Sequence, residues 1–161
     1  MYGTHHCGVG GVVFSGDKVL IVREHPPNDK VWKYPGGYTN LGEDFGIAAM
    51  REVYEETNIQ SKYIRLLAFR HSHAQQFGRS NLYVVCLLEA LSTEIKMDPE
   101  IVDAKWESIH TFRKDYQTTP LVKCITDLAL NSLNDTKDSH AIQEKQMCYS
   151  AAGSKPFTIY F

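Results

Sequence analysis

At 161 residues the chain has the size of one typical domain. It can bury roughly 68–70% of the surface its unfolded form exposes, enough to fold without disulfides or structural metal. Its 43% hydrophobic and 22% charged residues are ordinary for a soluble globular protein, and a net charge of −2 argues against gripping DNA through bulk charge while leaving a small nucleotide substrate open.

Met1 to His6 is mostly polar and no apolar core follows a basic start, so no signal peptide is expected. Cys7 to Phe14 and Lys18 to Arg23 are apolar runs joined by Ser15-Gly16-Asp17, which is turn chemistry and predicts a hairpin. His25 to Asp29 reads as a loop, since Pro and Asn break both helix and strand. Val31 to Tyr34 is a candidate short strand, after which Pro35-Gly36-Gly37 should force an irregular backbone. Asp44 to Thr57 reads as a helix that Asp44 can cap and Asn58 can stop, because Asn tolerates the left-handed conformation. Strands are expected at Tyr63 to Arg70, Asn81 to Leu88 and Ile101 to Trp106, and a second helix at Thr119 to Leu133. Asn134 to Lys155 is polar and lacks a period, while Pro156 to Phe161 is apolar again and reads as a strand or clip.

No repeat or linker divides the chain, so it is read as a single domain over 1–161 with a core at 6–133 and a polar tail at 134–161. Strands, helix, strands, helix make an α+β pattern, a mixed sheet with helices packed on it. Exposed strands near the N-terminus offer one way to form a homodimer. No apolar stretch approaches the ~20 residues that span a bilayer, so no membrane partner is expected. None of Cys7, Cys86, Cys124 and Cys148 falls in a Cys-x-x-Cys pair, and Cys86 in its apolar run reads as a buried free thiol. The set is read as reduced and intracellular, with the cytoplasm the first choice and nucleus and mitochondrion open.

The informative stretch runs from Gly37 to Ile59. On a helical wheel Glu52, Glu55 and Glu56 share an arc of roughly 100°. Ile47, Met50, Val53 and Tyr54 fall on another side and are expected to be buried against a sheet. Three carboxylates within a turn repel, and the negative end of the helix dipole disfavours them further. A hard divalent cation removes that conflict, because magnesium takes carboxylate oxygens and completes its shell with water and phosphate. The bland alternative is a solvated acidic face. Arg51, four residues before Glu55, can pair with it, and Gly36 and Gly37 allow close backbone approach to a ligand.

At these residues the chain resembles the Nudix family. That signature has Gly, then Glu, then Arg-Glu-aliphatic-x-Glu-Glu-x-Gly-aliphatic, and Gly37, Glu43, Arg51-Glu52-Val53-Tyr54-Glu55-Glu56-Thr57 and Ile59 stand at its spacings. Asn58 replaces the signature's last Gly and is the best substitute in a left-handed cap. From His6 to about Leu133 the chain is similar to the subfamily of the antisense basic fibroblast growth factor protein and plant ADP-ribose/NADH pyrophosphatases. Its marks there are His73, Phe77-Gly78-Arg79-Ser80-Asn81 and Thr118-Thr119-Pro120. Such members often carry an extra N-terminal region, so this chain is expected to be a fragment or short form.

The resemblance implies a Nudix fold, a mixed sheet sandwiched between helices. It also implies Mg2+, with Mn2+ as an alternative, held by Glu52 and Glu56, with Glu55 binding directly or through water and the Gly36 carbonyl adding an oxygen. Glu43 and Arg51 would brace loop and helix. A further catalytic glutamate from outside the box is expected at Glu100, with Glu94 and Asp103 as rivals. The reaction implied is attack of water on the pyrophosphate of a nucleoside diphosphate linked to another group, such as ADP-ribose or NADH. Trp32, His73, Phe77 and Ser80 are candidates to read the substrate, by stacking for the aromatics. Tyr34 is weighed beside Trp32, and His5, His6 and His71 are read as surface residues. Two alternatives stay open: a nucleotide-binding module without turnover, and an RNA 5′-cap hydrolase.

Overall fold

The computed structural model describes residues 5–27, 30–73, 78–134, 144–147 and 157–161. In chain order the elements are β1 (His5–Ser15), β2 (Lys18–Glu24), β3 (Gly36–Tyr38), α1 (Phe45–Thr57), β4 (Ser61–Ser72), β5 (Ser80–Ala90), β6 (Ile101–Ser108), α2 (Ile109–Asp115), α3 (Pro120–Asn134), β7 (Glu144–Met147) and β8 (Phe157–Tyr160). The strands form one mixed sheet in the order β6-β2-β1-β5-β4-β8-β7, with β3 also paired to β1. β1 and β5 run parallel over Cys7↔Leu82 to Val13↔Leu88, and the other pairings are antiparallel.

Alternation along the strands sorts their side chains onto two faces. Val9, Val13, Val84, Cys86 and Leu88 face α1, where they meet Ala48, Ala49 and Val53. Val12, Val85 and Leu87 face the other way, toward Ile109 and Phe112 of α2 and Leu121, Val122 and Ile125 of α3. Strands covered on both faces need apolar residues at every position, which explains the uninterrupted run of β1. The sandwich expected from the resemblance is therefore present, and Cys86 is buried and free as predicted.

Several details differ from the reading of the sequence. Val31 to Tyr34 is not a strand: Lys33 makes a single bridge to Val22. The strand begins at Gly36 instead, with Gly10↔Gly36 and Gly8↔Tyr38 in register, while Gly36 keeps the unusual backbone expected of it at φ 159°, where a Cβ would collide with the Val9 carbonyl oxygen. Asp44 stands at the N-cap without a side-chain capping bond. Ile47 and Tyr54 are not buried but 55% and 50% exposed, and the buried face is Ala48, Ala49, Val53 and Thr57. α1 lies too close to the sheet for larger side chains. A Cβ on Gly11 would sit 2.7 Å from Val53 Cγ2 and 2.8 Å from Leu88 Cδ1. Among the described residues β1 and β2 are interior to the sheet rather than exposed at its edge as expected. β7 falls in the stretch read as lacking a period, and Ile159 of β8 is fully buried in the α3-side core. No helix among the described residues is long and apolar enough to cross a membrane.

Asn58 ends α1 in the left-handed region at φ 61°, its N–H donating to the Tyr54 carbonyl at 2.7 Å. Asn58→Ala should cost about 1 kcal/mol, because a Cβ without a local polar partner is disfavoured there. Asn58→Gly should match or exceed wild type, both read from urea unfolding midpoints.

Candidate active site

α1 and β3 together position the acidic residues. Arg51, on the second half of α1, spends its donors on four groups. Nε donates to Glu43 Oε1 at 2.8 Å and Nη2 to Glu43 Oε2 at 2.9 Å. Nη1 donates to Glu52 Oε1 at 2.8 Å and Glu55 Oε2 at 2.9 Å, and Nη2 also reaches the Tyr38 carbonyl at 2.9 Å. Glu43 also accepts from the Asn40 N–H at 2.9 Å. Arg51 first, then that N–H, pulls the Glu43 carboxyl down to about 2. The guanidinium itself is driven further into its charged form, chiefly by Glu43. Loop, strand and helix are thus tied at one cation.

Glu56 takes a different partner. Its Oε2 accepts from the Gly36 N–H at 3.2 Å. Burial raises its carboxyl to about 7, with Lys33 and the Gly36 bond opposing and Glu24 and Glu52 adding. Gly37 lies against Glu52: a Cβ there would stand 2.7 Å from Glu52 Cδ. One turn of α1 therefore sets two carboxylates against two successive glycines of β3, while Glu55 is more exposed and leans toward Arg51. Among the described residues no three His, Cys, Asp or Glu side chains already form a ligand cluster; Glu52 and Glu55 are engaged by Arg51 and Glu56 by the Gly36 N–H. The donor set suits a hard divalent cation all the same. It is all oxygen, and burial penalises the Glu56 charge that a cation would offset.

Three clefts meet beside this turn. One of about 540 Å³ runs along Gly8, Gly36, Gly37, Tyr38, Arg70, Asn81 and Tyr83, with His6 and Glu24 at its sides. A recess of about 310 Å³ continues past Arg70 and Tyr83 between Val31, Tyr34, Leu121, Val122 and Ile125. A third of about 430 Å³ holds Glu56, Glu100 and Glu24 together with Pro26 and Pro99. Glu100 thus faces the same space as Glu56. Its rivals lie elsewhere: Asp103 pairs with Arg23 at 3.3 Å and Glu94 with Lys96 at 3.6 Å, and neither lines these clefts.

Of the residues expected to read substrate, His73 and Ser80 meet each other, Nδ1 to Oγ at 3.1 Å, at the far end of β4 and β5. Phe77 lies outside the described residues. Trp32 packs edge-on against Tyr116, with Lys105 Nζ 4.8 Å and Arg23 5.3 Å from its ring centre, and does not line the three clefts. Tyr34 is core, its hydroxyl bonded to Thr126 Oγ1 at 2.9 Å. His5 is exposed and stacks on His71, and His6 and His71 are partly exposed.

The sequence reading missed Glu24, Lys33, Arg70, Asn81 and Tyr83. Glu24 borders all three clefts and is ion-paired with Lys33. The one available signal was a charged or polar residue inside an apolar strand, as Arg70 follows Leu66-Leu67-Ala68-Phe69.

Comparison with known proteins bears on this arrangement. The family model described as the NUDIX domain matches residues 4–128. The chain is 37% identical to nucleoside diphosphate-linked moiety X motif 6 of Xenopus laevis, over 83% of this chain and 64% of that protein. It is 35% identical to Nudix hydrolase 2 of Arabidopsis thaliana, over 81% and 50%. It therefore spans about half to under two thirds of these relatives' length. Among solved structures, a NUDIX hydrolase from Nitrosomonas europaea superposes with a TM-score of 0.67 at 28% identity, covering 79% of this chain and 89% of that one. The NUDIX domain of Shewanella oneidensis NrtR, solved in complex with ADP ribose, shares the fold at a TM-score of 0.67 and 18% identity, covering 82% and 90%.

Proposed function

The chain belongs to the NUDIX domain family, and on that premise we propose that it is a magnesium-dependent hydrolase of the pyrophosphate bond in a nucleoside diphosphate linked to another group, ADP-ribose or NADH being the first candidates. The observation that carries the reading is the pairing of Glu52 and Glu56 with the glycines that wall a cleft. The complex of the NrtR domain supports ADP-ribose as a compound this fold can seat.

Glu52 and Glu56 are the metal ligands proposed, with Glu55 beside them and the Gly36 carbonyl as a further oxygen. Bound there, a divalent cation supplies charge neutralisation for the phosphates and a lowered pKa for water. Arg51 holds Glu52 and Glu55 in place and offsets their mutual repulsion. Glu43 fixes Arg51 in turn. Glu100, in the cleft that Glu56 borders, is the proposed acceptor of the water's proton. No covalent nucleophile is required.

The test is incubation with a panel of phosphoric anhydrides plus magnesium or manganese, with products identified by mass. AMP and ribose 5-phosphate from ADP-ribose, abolished by chelator, are the expected products. Tight nucleotide binding without any product, across the panel and capped RNA, would replace the hydrolase reading with a binding module. Gly37→Ala should cost about 100-fold in kcat, since its Cβ displaces Glu52 from the position it now holds. The melting temperature should change far less than the activity.

A further inference from the structure

Arg70 stands near the C-terminal end of β4, directly after the apolar run Leu66 to Phe69, and it borders both the glycine-walled cleft and the apolar recess. Its cross-strand partner is Tyr83, and its guanidinium carbon lies 5.5 Å from the centre of that ring. Nη2 donates to Asn81 Oδ1. A guanidinium stacked on one residue and bonded to another is pre-organised, and its planar fork matches phosphate geometry.

The surrounding charges call for such a group. Glu24 borders every cleft, and Glu52 and Glu56 lie just behind Gly36 and Gly37. Lys33 borders the recess but not the glycine-walled cleft, and its ammonium is paired with Glu24. Among the described residues lining that cleft, Arg70 carries the one permanent positive charge.

We propose that Arg70 is a substrate-binding residue that grips phosphate oxygens of the diphosphate where the glycine-walled cleft opens into the recess. This rests on the reading that the substrate is a phosphoric anhydride. Beyond Arg70 the substrate's second group enters a recess walled mainly by Val31, Tyr34, Leu121, Val122 and Ile125, with the Lys33–Glu24 ion pair at its border.

The experiment measures binding of inorganic pyrophosphate by calorimetry at fixed magnesium, together with KM and kcat on the best substrate of the panel. Wild type is compared with Arg70→Ala, Arg70→Lys and Arg70→Gln; the last can still donate to Asn81 if the alanine variant fails to fold. Arg70→Ala and Arg70→Gln should weaken pyrophosphate and raise KM by about tenfold or more, with kcat changed far less. Arg70→Lys should fall between, because it keeps the charge and loses the fork. Pyrophosphate affinity and KM within twofold of wild type in a folded Gln variant would overturn the proposal and leave the hydrolase reading intact. So would a wild type that hydrolyses the substrate yet binds no pyrophosphate. Arg70-dependent pyrophosphate binding without hydrolysis of any anhydride would do the reverse.

Discussion

Glu56→Gln is expected to lower kcat on an anhydride substrate by about 10²–10⁴-fold, the loss of several kcal/mol of metal-ion stabilisation, and, without metal, to make the protein more stable than wild type at pH 8. The second effect follows from burial. Burial, more than any neighbouring charge, holds the Glu56 carboxyl at about 7 against an ordinary 4.5. The folded chain therefore binds this proton more tightly than the unfolded chain does. The resulting stabilisation is complete below pH 4.5 and is lost as the pH climbs through 7. At pH 8 the wild type folds around a buried charge, which costs it up to about 3 kcal/mol relative to a neutral side chain of the same shape. Melting curves in chelator at pH 4 and pH 8 check this. The variant should lie near wild type at the first pH and above it at the second. A site built for a cation tolerates such a cost, and added magnesium should narrow the gap by binding the wild type. An unchanged kcat, or the same stability difference at both pH values, would contradict the account.

Arg51→Ala is expected to lower the melting temperature by about 10 °C, the effect of breaking a partly buried charge network in a chain of this size. Glu43, Glu52 and Glu55 would lose their shared partner, and the link from α1 to the Tyr38 carbonyl would go with it. Arg51→Lys should recover little, since a single ammonium cannot reach both Glu43 oxygens, Glu52, Glu55 and a carbonyl together. The pH dependence has the opposite sign to that of Glu56. Arg51 holds Glu43 down at about 2, so the stabilisation is present above 4.5 and fades as pH falls toward 2. Wild type and variant should converge in acid. A melting temperature unchanged by Arg51→Ala at pH 7 would show that the network in the structure contributes nothing.

What could be read in the sequence was local. The helix over Phe45–Thr57, its left-handed stop at Asn58 and the Arg51–Glu55 pair all follow from spacings of a few residues, and all are present. The glycines beside the carboxylates were legible for the same reason. Residues contributed by register were not. Arg70 and Tyr83 lie on separate strands, and only the β4–β5 pairing sets them side by side. Glu24 ends a strand and looks like any exposed charge until the fold turns it toward three clefts. The wheel put Ile47 and Tyr54 in the core because it counts hydrophobicity and not clearance. At Gly11 the sheet leaves space only for alanine, valine and threonine faces. α2 was missed because Ile109 and Phe112 are its only buried residues.

The account turns on whether the α1 carboxylates gather a divalent ion, and Mn2+ titration followed by electron paramagnetic resonance asks that without needing a substrate. Wild type should take up Mn2+, competed by Mg2+, and Glu52→Gln and Glu56→Gln should each weaken that uptake by about tenfold or more. Equal Mn2+ affinity in wild type and both folded variants would place the ion elsewhere and contradict the account.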